Sequence, residues 1–256
     1  MKIAVSGKGG AGKTTLSALL ATELRRRDYR VTVIDADPNP TAAAALGFPP
    51  GPVIPLLEMS DEIEDRIGRP GGFIRLNPRV DDLVSRISIS HDGINLIVAG
   101  GITHGGAGCA CPQAVLLRRL LEHVVTELDE AVVIDLEAGL EHLGRRSAHA
   151  VDAMVVVVDP SRASIETARR IRRLAGEIGV ERVLAVGNRM RGPADVEYLA
   201  AQLDGMEIVG TIPYSDEVIA AERAGRPVVE IAGELPAAAA RLTDALVAMT
   251  KVQVNS

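Results

Sequence analysis

At 256 residues, with 47% hydrophobic but only 2% aromatic residues and no Trp, the chain has the length for one large α/β domain whose core is filled by Ile, Val, Leu and Ala. A formal net charge of −6 gives no global attraction to nucleic acid or an anionic membrane, and so few aromatics exclude the stacking platforms of single-strand binders. Residues 1–256 show no linker-like stretch, no apolar run of membrane-spanning length and no secretory signal, so a single cytoplasmic domain is expected, with neither nucleic acid nor membrane as partner.

Ile3-Ala4-Val5 reads as a short strand that runs into Gly7-Lys8-Gly9-Gly10-Ala11-Gly12-Lys13-Thr14-Thr15, and a helical pattern follows. This strand, loop and helix fit G-x-x-x-x-G-K-[ST], a phosphate-binding loop. Backbone N–H groups from Gly9 through Gly10, Ala11 and Gly12 to Thr15 are expected to wrap the phosphates of ATP or ADP. Lys13 is expected to reach the β- and γ-phosphates and the Thr14 hydroxyl to ligate Mg²⁺, with the helix dipole favouring the anion. Lys8, inside the loop, is the unusual residue; a solvated loop lysine is its alternative reading.

A second strand, Val31 to Asp35, leads into Asp35-Ala36-Asp37-Pro38 at the end of the strand where open α/β sheets gather ligands. Period-two alternation puts both carboxylates on one side, although either acid also suits a cap on the following turn. Residues 48–83, rich in Pro and Gly, read as an irregular insertion. Val84 to Ser90 alternates before His91-Asp92-Gly93, which predicts a hairpin with Ile94 to Ala99 and one antiparallel strand. Further strands are expected at Ala131 to Leu136, Ala153 to Asp159, Arg182 to Asn188 and Glu207 to Ile212. Their continuous apolar character suits burial on both faces of a mostly parallel sheet flanked by helices. Arg169, Arg170, Arg172 and Arg173 cluster on one predicted helix and read as a solvated face. The last helix, Pro236 to about Thr250, lacks the basic polar face of a membrane anchor.

The two cysteines form Cys109-Ala110-Cys111-Pro112 after a glycine-rich stretch. Loop thiols beside Pro are poor core packing, and a bridge between residues so close would be strained. Soft thiolates instead suit Zn, Ni, Cu or an iron–sulfur centre. Two thiolates do not close a tetrahedral site, so further ligands are needed; nearby His104 is one candidate and also reads as a solvated loop residue.

The form G-K-G-G-x-G-K-T-T resembles the deviant phosphate-loop class that includes MinD, ParA, the nitrogenase iron protein and arsenite-pump ATPases. The resemblance implies a homodimer in which Lys8 crosses the interface to the other subunit's nucleotide, much as an arginine finger does. It implies that Asp37 positions the attacking water, with Asp35 supporting it or the Mg²⁺ water shell. Val132-Val133-Ile134-Asp135 resembles a Walker B strand, so Asp135 would hold a water of that shell and the Gly139 N–H in the following switch would sense the γ-phosphate. Asn188 and Pro213 match the class's adenine contacts, and both also suit turns. With a face-to-face dimer, the simplest closure of the metal site is Cys109 and Cys111 from each subunit, a Cys₄ site on the two-fold axis.

The phosphate loop, Asp35-Ala36-Asp37-Pro38, Cys109-Ala110-Cys111-Pro112 and Asp135-Leu136-Glu137-Ala138-Gly139-Leu140-Glu141-His142-Leu143-Gly144-Arg145 together are similar to the CooC family, from residue 1 to about 230. That resemblance implies an ATPase that helps insert nickel into carbon monoxide dehydrogenase or a related client metalloenzyme, with Ni²⁺ or Zn²⁺ at the Cys₄ site. Two alternatives stay open at this level: an electron-transfer ATPase with an interfacial iron–sulfur cluster, and a ParA- or MinD-like positioning ATPase.

Overall fold

The computed structural model describes residues 1–68, 73, 75–100, 112–127, 130–137, 143, 148–149 and 151–251. Eight strands form one sheet: β1 (Lys2–Gly7), β2 (Val31–Ala36), β3 (Ile89–His91), β4 (Ile94–Val98), β5 (Ala131–Leu136), β6 (Ala153–Val158), β7 (Val183–Met190) and β8 (Ile208–Pro213), in the spatial order β3-β4-β2-β5-β1-β6-β7-β8. Every pairing is parallel except β3 with β4. The helices of eight or more residues are α1 (Lys13–Arg26), α5 (Pro112–Glu127), α6 (Arg162–Ile178), α7 (Pro193–Gln202), α8 (Asp216–Arg223) and α9 (Glu234–Lys251). Shorter ones are α2 (Ala42–Ala45), α3 (Ser60–Arg66) and α4 (Asp81–Ile87).

Strands β2, β5 and β6 are buried at every position, as their unbroken apolar runs require. Period-two alternation then deals their side chains into two cores. Ala4, Ile34, Ile134 and Val156 pack with α5 and α6 on one face, while Ile3, Val5, Val33, Val133 and Val155 pack with α1 and α9 on the other. β1, first in the chain, sits between β5 and β6. Its carboxyl end therefore opens at the middle of the sheet, with β2 and β7 close by to supply loops.

Two expectations are corrected. The hairpin and its antiparallel strand form as expected, but the strand is only Ile89–His91, paired with β4, while Asp81–Ile87 is helical. Leu83 is fully buried, and Val84 and Ile87 pack against the same core, a stripe that fits the helical period better than the sheet's. Asp81 and Asp82 in the first turn and Arg86 in the last also suit the helix dipole. The insertion 48–83 is not wholly irregular: a 3₁₀ turn at Leu56–Glu58 and α3 bury Leu56 and Ile63, and Leu57 N–H donates to the Ala99 carbonyl at 3.1 Å.

The arginine cluster on α6 is exposed, as expected, but two members have structural partners. Arg169 donates to the Gln202 carbonyl at 2.9 Å and pairs with Asp204, and Arg172 donates to the Asp204 carbonyl at 2.6 Å. They fasten α6 to the turn before β8. No helix among the described residues is long and apolar enough to cross a membrane.

Candidate active site

The phosphate loop bridges β1 and α1. Ala11 N–H donates to the Lys8 carbonyl at 3.0 Å, and Gly12, at φ 98°, turns the chain into α1 in a left-handed conformation that suits glycine. A Cβ on Gly12 would strike the Asn188 side-chain amide, so a larger residue would have to displace it. Gly7 is similarly constrained: its Cβ would lie 2.6 Å from the Val157 carbonyl oxygen of neighbouring β6. Lys13 is 7% exposed although charged, Thr14 and Thr15 are half-buried, and Gly9 and Gly10 are exposed at the tip. Lys8 is half-buried beside them.

Asp35 and Asp135 are register partners at the ends of β2 and β5, and both are fully buried. Asp35 accepts from Asp37 N–H at 3.1 Å through one oxygen, and from Thr41 N–H and Ala42 N–H, each at 2.9 Å, through the other. It thereby staples the loop that carries Asp37, the turn-capping reading left open by the sequence. Burial raises its pKa, against the pull of those three donors. Asp37 is half-buried and accepts from Asn39 N–H at 2.9 Å.

Asp135 is the opposite case, because neither carboxylate oxygen has a hydrogen-bond partner among the described residues. Burial pushes its pKa up to about 7, and the charges of Asp35 and Asp37 add to the rise. The Thr14 hydroxyl and Lys13 oppose it; that hydroxyl lowers the pKa without reaching full hydrogen-bond geometry. Two orphaned hard oxygens beside a hydroxyl and a phosphate loop suit Mg²⁺ bound directly or through water. Just beyond, Ser6 Oγ donates to the Glu137 carbonyl at 3.1 Å and ties β1 to the segment that follows β5.

A cavity of about 410 Å³ joins these parts, a volume within the ordinary range for small-molecule sites. Gly10, Gly12, Lys13, Thr14, Thr15 and Asp37 line it. So do residues that the motif reading missed: Thr41, Arg189, Glu222 and Arg226. Thr41 donates to Thr14 Oγ1 at 3.5 Å. Arg226 sits in a Gly-Arg-Pro turn after α8, which marks a loop but not what it faces.

The two residues matched to adenine contacts lie on neighbouring strands β7 and β8 and have different surroundings. Asn188 is buried against the phosphate loop, donating to the Ala11 carbonyl at 2.7 Å. Pro213 instead lines a wider groove of about 770 Å³ with Met190, Arg191 and Tyr214, where the Arg191 guanidinium lies 3.8 Å over the Tyr214 ring. Cys109, Cys111, His104 and Gly139 lie outside the described residues. Among the described residues, no group of three or more His, Cys, Asp or Glu is placed to hold a metal ion.

Sheet order, phosphate loop and buried Lys13 define a phosphate-loop nucleotide-binding protein of the MinD/ParA type. The model of the CobQ/CobB/MinD/ParA nucleotide binding domain matches residues 2–228. The MinD cell division protein of Aquifex aeolicus superposes with a TM-score of 0.70 at 21% identity, over 97% of each chain. The septum site-determining MinD of Pyrococcus horikoshii, solved with Mg-ADP, gives 0.68 at 17% identity, over 98% of this chain and 97% of that one. Identities this low speak to the fold. Closer in sequence are an uncharacterized ATP-binding protein of Methanocaldococcus jannaschii, 40% identical over 89% of this chain and 91% of its own, and the carbon monoxide dehydrogenase accessory protein CooC of Rhodospirillum rubrum, 39% identical over 88% of both. The chain belongs to the CooC family of MinD/ParA-type ATPases. It is an ATP-binding ATPase.

Proposed function

We propose that the chain acts as a homodimeric metallochaperone whose Mg·ATP cycle assists nickel insertion into a carbon monoxide dehydrogenase-type enzyme. The observation that carries this reading is its 39% identity to the Rhodospirillum rubrum accessory protein. The pair Cys109 and Cys111 supports it, because a plain nucleotide switch has no use for a Cys-x-Cys loop.

In hydrolysis, a water oxygen bonds to the γ-phosphorus as the bridging oxygen leaves with ADP. Lys13, held in a largely buried position, and the loop N–H groups stabilise the charge that develops on the transferring group. Lys8 of the second subunit adds its charge from across the interface. Asp37 orients the water and is itself aimed by Asp35 through its own N–H. Thr14 would ligate Mg²⁺ and Asp135 a water of its shell, and the ion when bound would neutralise phosphate charge. Pro213 lies beside the base, and Asn188 offers it the one N–H that Ala11 leaves free. The segment after Asp135, with Gly139, relays the nucleotide state to the cysteine loop, which precedes α5. Cys109 and Cys111 from both subunits form a Cys₄ site for Ni²⁺ or Zn²⁺, and coupling between the two sites is reciprocal.

The test is metal content and oligomer mass of anaerobically purified protein as Ni²⁺ or Zn²⁺ is added, with and without Mg·ATP, for wild type and the Cys109→Ser, Cys111→Ser double variant. About one divalent ion per dimer, lost in the double variant and shifted by nucleotide, is the expected result. Absence of cysteine-dependent metal would overturn the chaperone role. Four irons per dimer with a visible cluster band would replace it with the electron-transfer reading.

A further inference from the structure

Asn188 matches the residue that contacts the base in the class its motifs resemble, yet its side chain is committed elsewhere. It is 8% exposed, and its Nδ2 donates to the Ala11 carbonyl inside the phosphate loop, 177 positions away in sequence. The same nitrogen abuts the Cα of Gly12, where any Cβ would collide with it. Its Oδ1 accepts from Arg189 N–H at 2.9 Å. Arg189 has φ 60°, a left-handed conformation that a non-glycine residue keeps only when its surroundings enforce it. From that conformation Arg189 lines the nucleotide cavity. One buried amide thus touches two parts of the site: the turn that must present N–H groups to phosphate, and the backbone that turns Arg189 inward.

We propose that Asn188 is a positioning residue that sets the shape of the phosphate loop and of Arg189, so that its main contribution is to triphosphate binding as a whole and not to reading the base. The inference rests on the ATPase reading of the same site. An amide of this kind has two N–H donors and an oxygen with two lone pairs, so one further N–H remains for a bound base. The two roles differ in what their loss does to ligands that carry no base.

The test measures dissociation constants of Mg·ATP, Mg·GTP and Mg·tripolyphosphate for the full chain by calorimetry, with KM and kcat for ATP. Wild type, Asn188→Ala and Asn188→Ser are compared, the serine variant serving if alanine prevents folding, because its hydroxyl is too short to reach Ala11. The expected result is a parallel weakening of all three ligands by about five- to tenfold, the scale of one net hydrogen bond. The ratio of ATP to tripolyphosphate affinity should stay within about twofold, and KM should rise by the same factor as the tripolyphosphate constant. Weaker ATP binding with tripolyphosphate unchanged would overturn the proposal and make Asn188 a base-reading residue. So would no change for any ligand. A wild-type chain that binds none of the three would overturn the ATPase reading itself.

Discussion

The ends of β2 and β5 carry the same residue in the same register and at the same depth, yet do different work. Asp35 and Asp135 are paired neighbours and both fully buried. Three backbone N–H groups fill the first, so its charge is spent inside the protein on the loop that holds Asp37. The second has two buried oxygens with no hydrogen-bond partner among the described residues. A buried carboxylate without donors is costly, so a bound cation would relieve it. Hydrogen-bond accounting makes Asp35 a structural acid and is the ground on which we propose Asp135 as the ligand-binding one.

The sharpest way to break the contrast is to replace each acid by its amide. Asp135→Asn should lower Mg²⁺-dependent ATP hydrolysis by about 10²-fold or more, seen as phosphate release across a Mg²⁺ titration. An equal loss in Asp35→Asn, curable by extra Mg²⁺, would show that both acids bind the metal. Without nucleotide or metal, Asp135→Asn should be more stable than wild type by about 4 kcal/mol at pH 8, measured by urea unfolding. The sign follows from the carboxyl's pKa, raised to about 7 in the folded state from 3.8. The native protein holds the proton more tightly, so wild-type stability falls as pH rises from about 4 through 7 and then levels off. The advantage of the amide should therefore appear across that window and vanish below it.

Asp35→Asn should act in the other direction. It leaves one acceptor oxygen where two served three donors, so stability should drop by about 1–2 kcal/mol. Its kcat should fall as Asp37 loses its aim, with little change in Mg²⁺ requirement. The smallest effect is expected for Ser6→Ala, which removes the tie to the Glu137 carbonyl: about 0.5–1 kcal/mol in unfolding experiments. A larger loss of nucleotide-dependent change than of stability would mark that tie as part of the switch.

Much of this molecule is legible in its residues because the signals are local. The phosphate loop is nine consecutive residues, and strands buried on both faces announce themselves as runs such as Val155-Val156-Val157-Val158. Val84 to Ser90 was misleading for an equally local reason, since a short mixed run fits both periods and only its docking on the core chose the helix.

By itself, then, the sequence determined the parallel sheet, the phosphate loop with its two lysines, and the acids that end β2 and β5, because each depends on neighbours within a few residues. Tertiary structure alone decided which acid is stapled and which is left open, that Asn188 grips Ala11, and that Arg189, Glu222 and Arg226 share a cavity with Lys13. Those outcomes depend on burial and on partners far away along the chain, and neither quantity exists until the sheet has brought the loops together.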